Sequence, residues 1–119
     1  MLSKKYRFHS RGGVRWVYQH GKTLRRAQVS LVFAGNTKGF TRVAVVVSKK
    51  VAKSAVERNR IRRRIYEVIR VNFEDVPRKM DYIFVVYAKS VMNMPFAKLE
   101  ELIGGLVKES EVCYNKKND

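Results

Sequence analysis

Acidic residues are scarce in this chain of 119 residues: ten, against 26 lysines and arginines, for a formal net charge of +16. A chain so unbalanced repels itself and attracts polyanions. Nucleic acid is the expected partner, with an anionic membrane surface as the rival. Long apolar runs are missing as well. The longest central one, "VAVVV" (Val43–Val47), falls far short of the ~20 residues that a spanning helix needs. The opening "MLSKKYRFHSRGG" carries positive charge without an apolar core, so it does not read as a secretory signal. A single cysteine, Cys113, excludes an internal disulfide and suits a reducing compartment. The expected setting is cytoplasmic, with no membrane partner.

The residues that carry catalysis are thin on the ground too. His9 and His20 have no metal-ligand spacing, and one cysteine makes no zinc knuckle. No glycine-rich phosphate loop is present. Most acids sit beside lysine or arginine, and neighbours such as Glu100 and Glu101 point in different directions on a helix. No catalytic residue and no chain-held metal is expected. The chain reads as a binder.

What is present argues for one folded domain spanning 1–119, with 1–7 and 115–119 expected to be disordered. Hydrophobic content of 45% is enough for a modest core. "GVRWVYQH" (13–20) reads as a short helix ending at Gly21, a position that favours a left-handed cap. "KTLRR" (Lys22–Arg26) is ambiguous, with a short edge strand as one reading. "VSLVFAG" (Val29–Gly35) reads as a strand and "FTRVAVVVS" (Phe40–Ser48) as its hairpin partner across "NTKG". "DYIFVVYAK" (Asp81–Lys89) is apolar enough to be a central strand. Pro95 opens a last helix with Phe96, Leu99, Ile103, Leu106 and Val107 on its apolar face. Gly104 and Gly105 within it suggest a close packing contact or an early break.

The most distinctive stretch is "VERNRIRRRIYEVIR" (Val56–Arg70). Ser54 is a plausible N-cap with Glu57 at capping-box spacing, so a helix is expected from about Ala55 to Asn72. Ile61, Ile65, Val68 and Ile69 form one apolar stripe. Five arginines fall within Arg58–Arg64 with no acid among them. Like charges three or four apart repel by ~0.2–0.5 kcal/mol per pair, so something must compensate. Guanidinium forks match phosphate oxygens, and counterion release favours the contact. Arg58, Asn59, Arg60, Arg62, Arg63 and Arg64, with Lys49, Lys50 and Lys53 in the preceding connection, are the candidate nucleic-acid-binding residues, and charge alone does not separate RNA from DNA. Helix, strands, long basic helix, strand and helix make an α+β layer.

"SKK" (Ser48–Lys50) followed by "RNRIRRRIYEVIR" resembles the signature of the bacterial ribonuclease P protein subunit. The resemblance extends through "VYQHGK" (Val17–Lys22), "DYIFVVYAK" and the final helix, about residues 6–114. It implies three helices on a four-stranded mixed sheet in the order αβββαβα, with a left-handed crossover and "KTLRR" as the first strand. Arg58, Asn59 and Arg60 match the family motif, Arg62 and Arg63 extend it, and Lys49 and Lys50 match the adjoining basic pair. By the same resemblance this helix binds the catalytic RNA subunit, and a cleft beside the first helix holds the single-stranded 5′ leader of precursor tRNA. Tyr18 matches an aromatic position of that cleft, and Val14 stands where many members have phenylalanine. Val32 and Phe33 are the candidate strand residues of the cleft, with the register left open. Tyr18 and Trp16 serve either core packing or leader contact. Chemistry is then expected of the RNA, with Mg2+ held mainly there, and no obligate protein partner is implied. The alternative is a basic RNA-binding structural protein of the ribosome.

Overall fold

In the computed structural model, which describes residues 4–8, 11–36, 39–72 and 79–118, a four-stranded sheet separates two unequal cores. The elements are α1 (Arg11–His20), β1 (Lys22–Arg25), β2 (Val29–Gly35), β3 (Arg42–Val47), α2 (Ala55–Val71), β4 (Met80–Val86) and α3 (Phe96–Asn118). Strand order is β1-β2-β4-β3, with β4 antiparallel to β2 and parallel to β3. The expected β2–β3 hairpin is therefore replaced. The strand Met80–Val86 inserts between them, and α2 supplies the crossover that parallel β3 and β4 require. The central place expected for β4 is observed, and β3 takes an edge.

Strand alternation sorts the side chains. Leu31, Phe33, Val43, Val45, Tyr82 and Phe84 face the larger core, built with Ile61, Ile65, Val68 and Ile69 of α2 and Leu99, Ile103 and Leu106 of α3. The predicted stripe of α2 is buried as a set. Full burial of each such aliphatic side chain stabilises by roughly 1.5–3 kcal/mol. Val32, Ala44 and Ile83 face the other way and meet Val17 of α1 and Phe8. α1 thus lies alone on its face of the sheet.

Local chemistry accounts for the element ends. The Ser54 hydroxyl accepts from the N–H groups of Val56 (3.1 Å) and Glu57 (3.4 Å), starting α2. Glu57 turns outward to Lys89 (3.0 Å), so only half of the capping box forms. At the other end the Asn72 amide donates to the Val68 carbonyl and to Glu100 (both 2.9 Å), tying α2 to α3. Gly21 does not adopt the left-handed cap: the only positive-φ glycine among the described residues is Gly39. Space dictates glycine there, because a Cβ would stand 2.6 Å from the carbonyl oxygens of Phe33 and Val17. α3 runs unbroken through Gly104 and Gly105, and a Cβ at either would meet nothing within 4 Å. Neither a close contact nor a break explains that pair. Phe96, expected on the buried face, is 37% exposed.

The described residues near the two chain ends pack as follows. Lys4–Tyr6 form a 3-10 turn, Arg7 bridges to Val43, and the Phe8 N–H donates to the Val43 carbonyl at 2.7 Å. α3 continues to Asn118.

Candidate nucleic-acid interface

The nine candidate RNA-binding residues occupy the start of α2 and the connection before it, but they do not act alike. Lys49, Lys50 and Lys53 are exposed in the connection. The Arg58 guanidinium reaches back to donate to the carbonyls of Ala52 (3.0 Å) and Lys53 (2.8 Å), and so fixes the turn carrying those lysines. Arg62 donates to the Asn59 side-chain oxygen at 2.8 Å, so Asn59 aims the Arg62 fork. Arg64 is directed inward across the chain. It donates to the carbonyls of Val91 (2.7 Å), Met92 (3.0 Å) and Met94. Its pKa is lowered, by desolvation first and by Arg60 second.

Arg64 therefore serves as a strut under the Lys89–Met92 turn. Compensation for the arginine run is partly internal: the carbonyls of Ala52, Lys53, Val91, Met92 and Met94 do some of the work assigned to an external anion. Among the described residues, Arg60 and Arg63 are exposed and find no intramolecular partner.

Arg62, Arg63 and Asn59 line one side of a groove of about 550 Å³ beside β3, the edge strand that Arg7 and Phe8 meet at Val43. Arg7, Phe8 and Val14 line the other side. Three guanidinium groups thus share a groove with no carboxylate in its wall. Arg7 Nε is buried with no hydrogen-bond partner, an unusual state for so strong a donor. Beneath lies Tyr66, whose pKa is raised by burial, against the Val45 backbone and the Arg7 and Arg62 cations, which lower it. Arg7 is held there through Phe8, whose buried ring lies 4.1 Å from the Arg42 guanidinium carbon. Arg42 in turn donates twice to buried Asp81 (2.9 and 2.8 Å).

The four candidate cleft residues divide. Val32 is 5% exposed beneath α1, so it forms floor, and Val14 is half-buried beside it. Tyr18 projects from α1 with 46% exposure. Its pKa is raised by burial and then by the neighbouring Tyr87. Phe33 is a correction: one residue along the strand from Val32, it points through the sheet into the larger core at 2% exposure. Sequence reasoning missed Arg7, Phe8, Val46 and Tyr87. Val46 (38% exposed) shares the α1 face with Ala44 and Val85 by strand parity. That signal was available once the register of β3 was fixed. Tyr87, just past β4, is 51% exposed. Arg7 and Phe8 lie in a segment with no periodicity to read.

Chemically, the arrangement offers forked donors for phosphate beside apolar and aromatic surface for unpaired bases. It does not fit a hard divalent cation, which wants carboxylate and carbonyl oxygens. Among the described residues no three His, Cys, Asp or Glu side chains gather, and no described helix is long and apolar enough to cross a membrane.

Comparison with known proteins follows the same line. A family model described as Ribonuclease P matches residues 2–111. The ribonuclease P protein component of Finegoldia magna is 32% identical over 102 residues, covering 86% of this chain and 88% of that one. That of Thermoanaerobacter pseudethanolicus is 37% identical over 90 residues, covering 76% and 72%. The solved RNase P protein of Staphylococcus aureus superposes with a TM-score of 0.78 at 23% identity, covering 90% of this chain and 96% of that one. The RNase P protein of Thermotoga maritima does so with a TM-score of 0.78 at 24% identity, covering 87% and 96%. These matches give the ribosomal reading no support.

Proposed function

The chain belongs to the ribonuclease P protein family, and from that premise we propose that it assembles with a ribonuclease P RNA and holds the 5′ leader of precursor tRNA. In this role it supports endonucleolytic removal of the leader, while the RNA supplies the chemistry. One observation carries the reading: Asn59, Arg62 and Arg63 of the basic helix share a single groove with Arg7, Phe8 and Val14. That shared lining supports a reading in which a surface for the RNA subunit adjoins a surface for unpaired nucleotides.

The geometry supports the following roles in this reading. Arg60, Arg62 and Arg63 contact phosphates of the RNA, with Lys49, Lys50 and Lys53 beside them. Arg58 and Asn59 position that set, Arg58 through the carbonyls of the lysine turn and Asn59 through Arg62. Tyr18 stacks on a leader base, with Tyr87 and Val46 extending the same face. In this reading magnesium is held mainly by the RNA, and the groove wall, with Arg7, Arg62 and Arg63 and no carboxylate, is consistent with that.

The experiment combines this protein with a bacterial ribonuclease P RNA and precursor tRNA at low magnesium. The reading expects restored 5′-leader cleavage and a measurable protein–RNA complex. Absence of both, where a known subunit succeeds, removes it.

A further inference from the structure

α1 has a second aromatic flank that the leader groove does not use. Trp16 and Tyr18 are two residues apart, which places them about 200° apart around the helix. Tyr18 points towards Tyr87, whereas Trp16 points towards the other margin of the sheet. The Trp16 indole stacks on the His20 imidazole with centroids 4.6 Å apart and an interplanar angle of 20°. His20 Nδ1–H donates to the Trp16 carbonyl at 3.0 Å, which fixes the imidazole in the stack. Beside the pair lies a pocket of about 160 Å³, closed by Lys22, Gly35 and Tyr114. The Tyr114 ring lies so near the strand that a Cβ on Gly35 would meet its hydroxyl at 2.6 Å.

Trp16 is the one tryptophan in the chain and is 48% exposed. An indole half in water, already stacked on one partner and set beside a pocket, is arranged to receive a second flat ring. No acidic side chain lines the pocket, and exposed Lys22 places a cation beside it. With a net charge of +16 the chain repels a second copy of itself and draws a polyanion. Base–aromatic stacking next to a cation is how proteins hold single strands without sequence preference.

We propose that the Trp16–His20 flank of α1 is a second single-stranded RNA site, taking one unpaired nucleobase against the stack and an adjacent phosphate at Lys22. It is separate from the leader groove and needs no ribonuclease P RNA to be observed. A strand held in the groove and a strand held on this flank lie on opposite sides of one helix.

The lone tryptophan is its own reporter, so the protein is used with Trp16 intact. Tryptophan fluorescence is titrated with a short oligoadenylate and, separately, with the matched abasic ribose-phosphate oligomer. The expected result is a saturable loss of fluorescence with oligoadenylate and none with the abasic oligomer. Tyr18→Ala leaves that loss in place, because it alters only the far flank. Lys22→Ala raises the oligomer concentration at half-quench about 5-fold at roughly 0.1 M salt, the factor for one single-strand phosphate contact.

No quench by oligoadenylate overturns the proposal, as does an equal response to the abasic oligomer. Loss of the quench in Tyr18→Ala also overturns it, by making Trp16 a relay of the leader groove. A fluorescence change with protein concentration alone assigns the flank to self-association instead. Because the assay contains no ribonuclease P RNA, its failure leaves the assembly reading untouched.

Discussion

Arg60→Ala and Arg64→Ala, four residues apart on α2, are expected to have opposite signatures. Arg60 is exposed without an intramolecular partner, and its charge lowers the Arg64 pKa. Removing it leaves the fold intact and relieves a repulsion of a few tenths of a kcal/mol, ~0.2–0.5. The proposed role of Arg60 then predicts the loss of one phosphate contact, which lowers the slope of log K against log salt by about 0.7–0.9. Over a fourfold rise in salt, the variant then loses about 3-fold less affinity for the RNA than the parent does. Arg64→Ala removes donors to the Val91, Met92 and Met94 carbonyls. Hydrogen bonds from a charged donor, discounted for partial exposure, put that at about 1–2 kcal/mol of stability. Its salt slope stays at the parental value. Urea unfolding and salt-dependent titration of the RNA subunit read the two quantities separately. If Arg64→Ala lowers the slope while Arg60→Ala preserves it, the division of the arginine run is wrong.

Other substitutions test the scaffold. Gly21→Ala forces a Cβ to 2.6 Å from two backbone oxygens and is expected to destabilise by about 1–3 kcal/mol in urea. Gly104→Ala enters open space and should stabilise by up to ~1 kcal/mol in the same assay; a loss there would show a packing contact the structure lacks. Asp81→Ala leaves the Arg42 guanidinium without the carboxylate that accepts two of its hydrogen bonds, lowering stability by about 3 kcal/mol, since removing one partner leaves the other uncompensated. The Tyr82 phenol is pushed from 10.0 up to about 12, chiefly by burial. Below pH 10 both folded and unfolded states keep its proton; between 10 and 12 the unfolded chain loses it first, so stability falls as pH rises, by up to ~3 kcal/mol. Tyr82→Phe removes that component, and equal alkaline slopes for parent and variant would contradict it.

Much of this architecture is written in local patterns. The α2 stripe of Ile61, Ile65, Val68 and Ile69 is legible because a helix with one buried face must repeat its apolar positions. Ser54 is legible as a cap because its hydroxyl acts within three residues. The failures are non-local. β2 and β3 are adjacent in sequence and read as a hairpin, yet β4 separates them, and no short-range signal announces a strand arriving from beyond α2. Phe33 and Val32 are equally apolar, and only the register assigns them to opposite faces. Arg64 looks like Arg60 and Arg63 in the sequence. Its carbonyl partners lie some thirty residues on, in a turn whose position depends on the whole fold. Gly21 was legible as glycine for the wrong reason, since its constraint is contact with β2.

The central claim is that the RNA-subunit surface of α2 adjoins a leader surface on the α1 face of the sheet, from which Tyr18 projects. The direct measurement is the affinity of the protein–RNA complex for precursor tRNA as the leader is shortened to a single nucleotide, in the parent and in Tyr18→Ala. The account predicts that affinity falls as the leader shortens in the parent, and that Tyr18→Ala binds the long-leader substrate about 5- to 100-fold more weakly, the loss of one base–aromatic stack, while short-leader binding is unchanged. Affinity independent of leader length in the parent, or a Tyr18→Ala loss of equal size with both substrates, would contradict it.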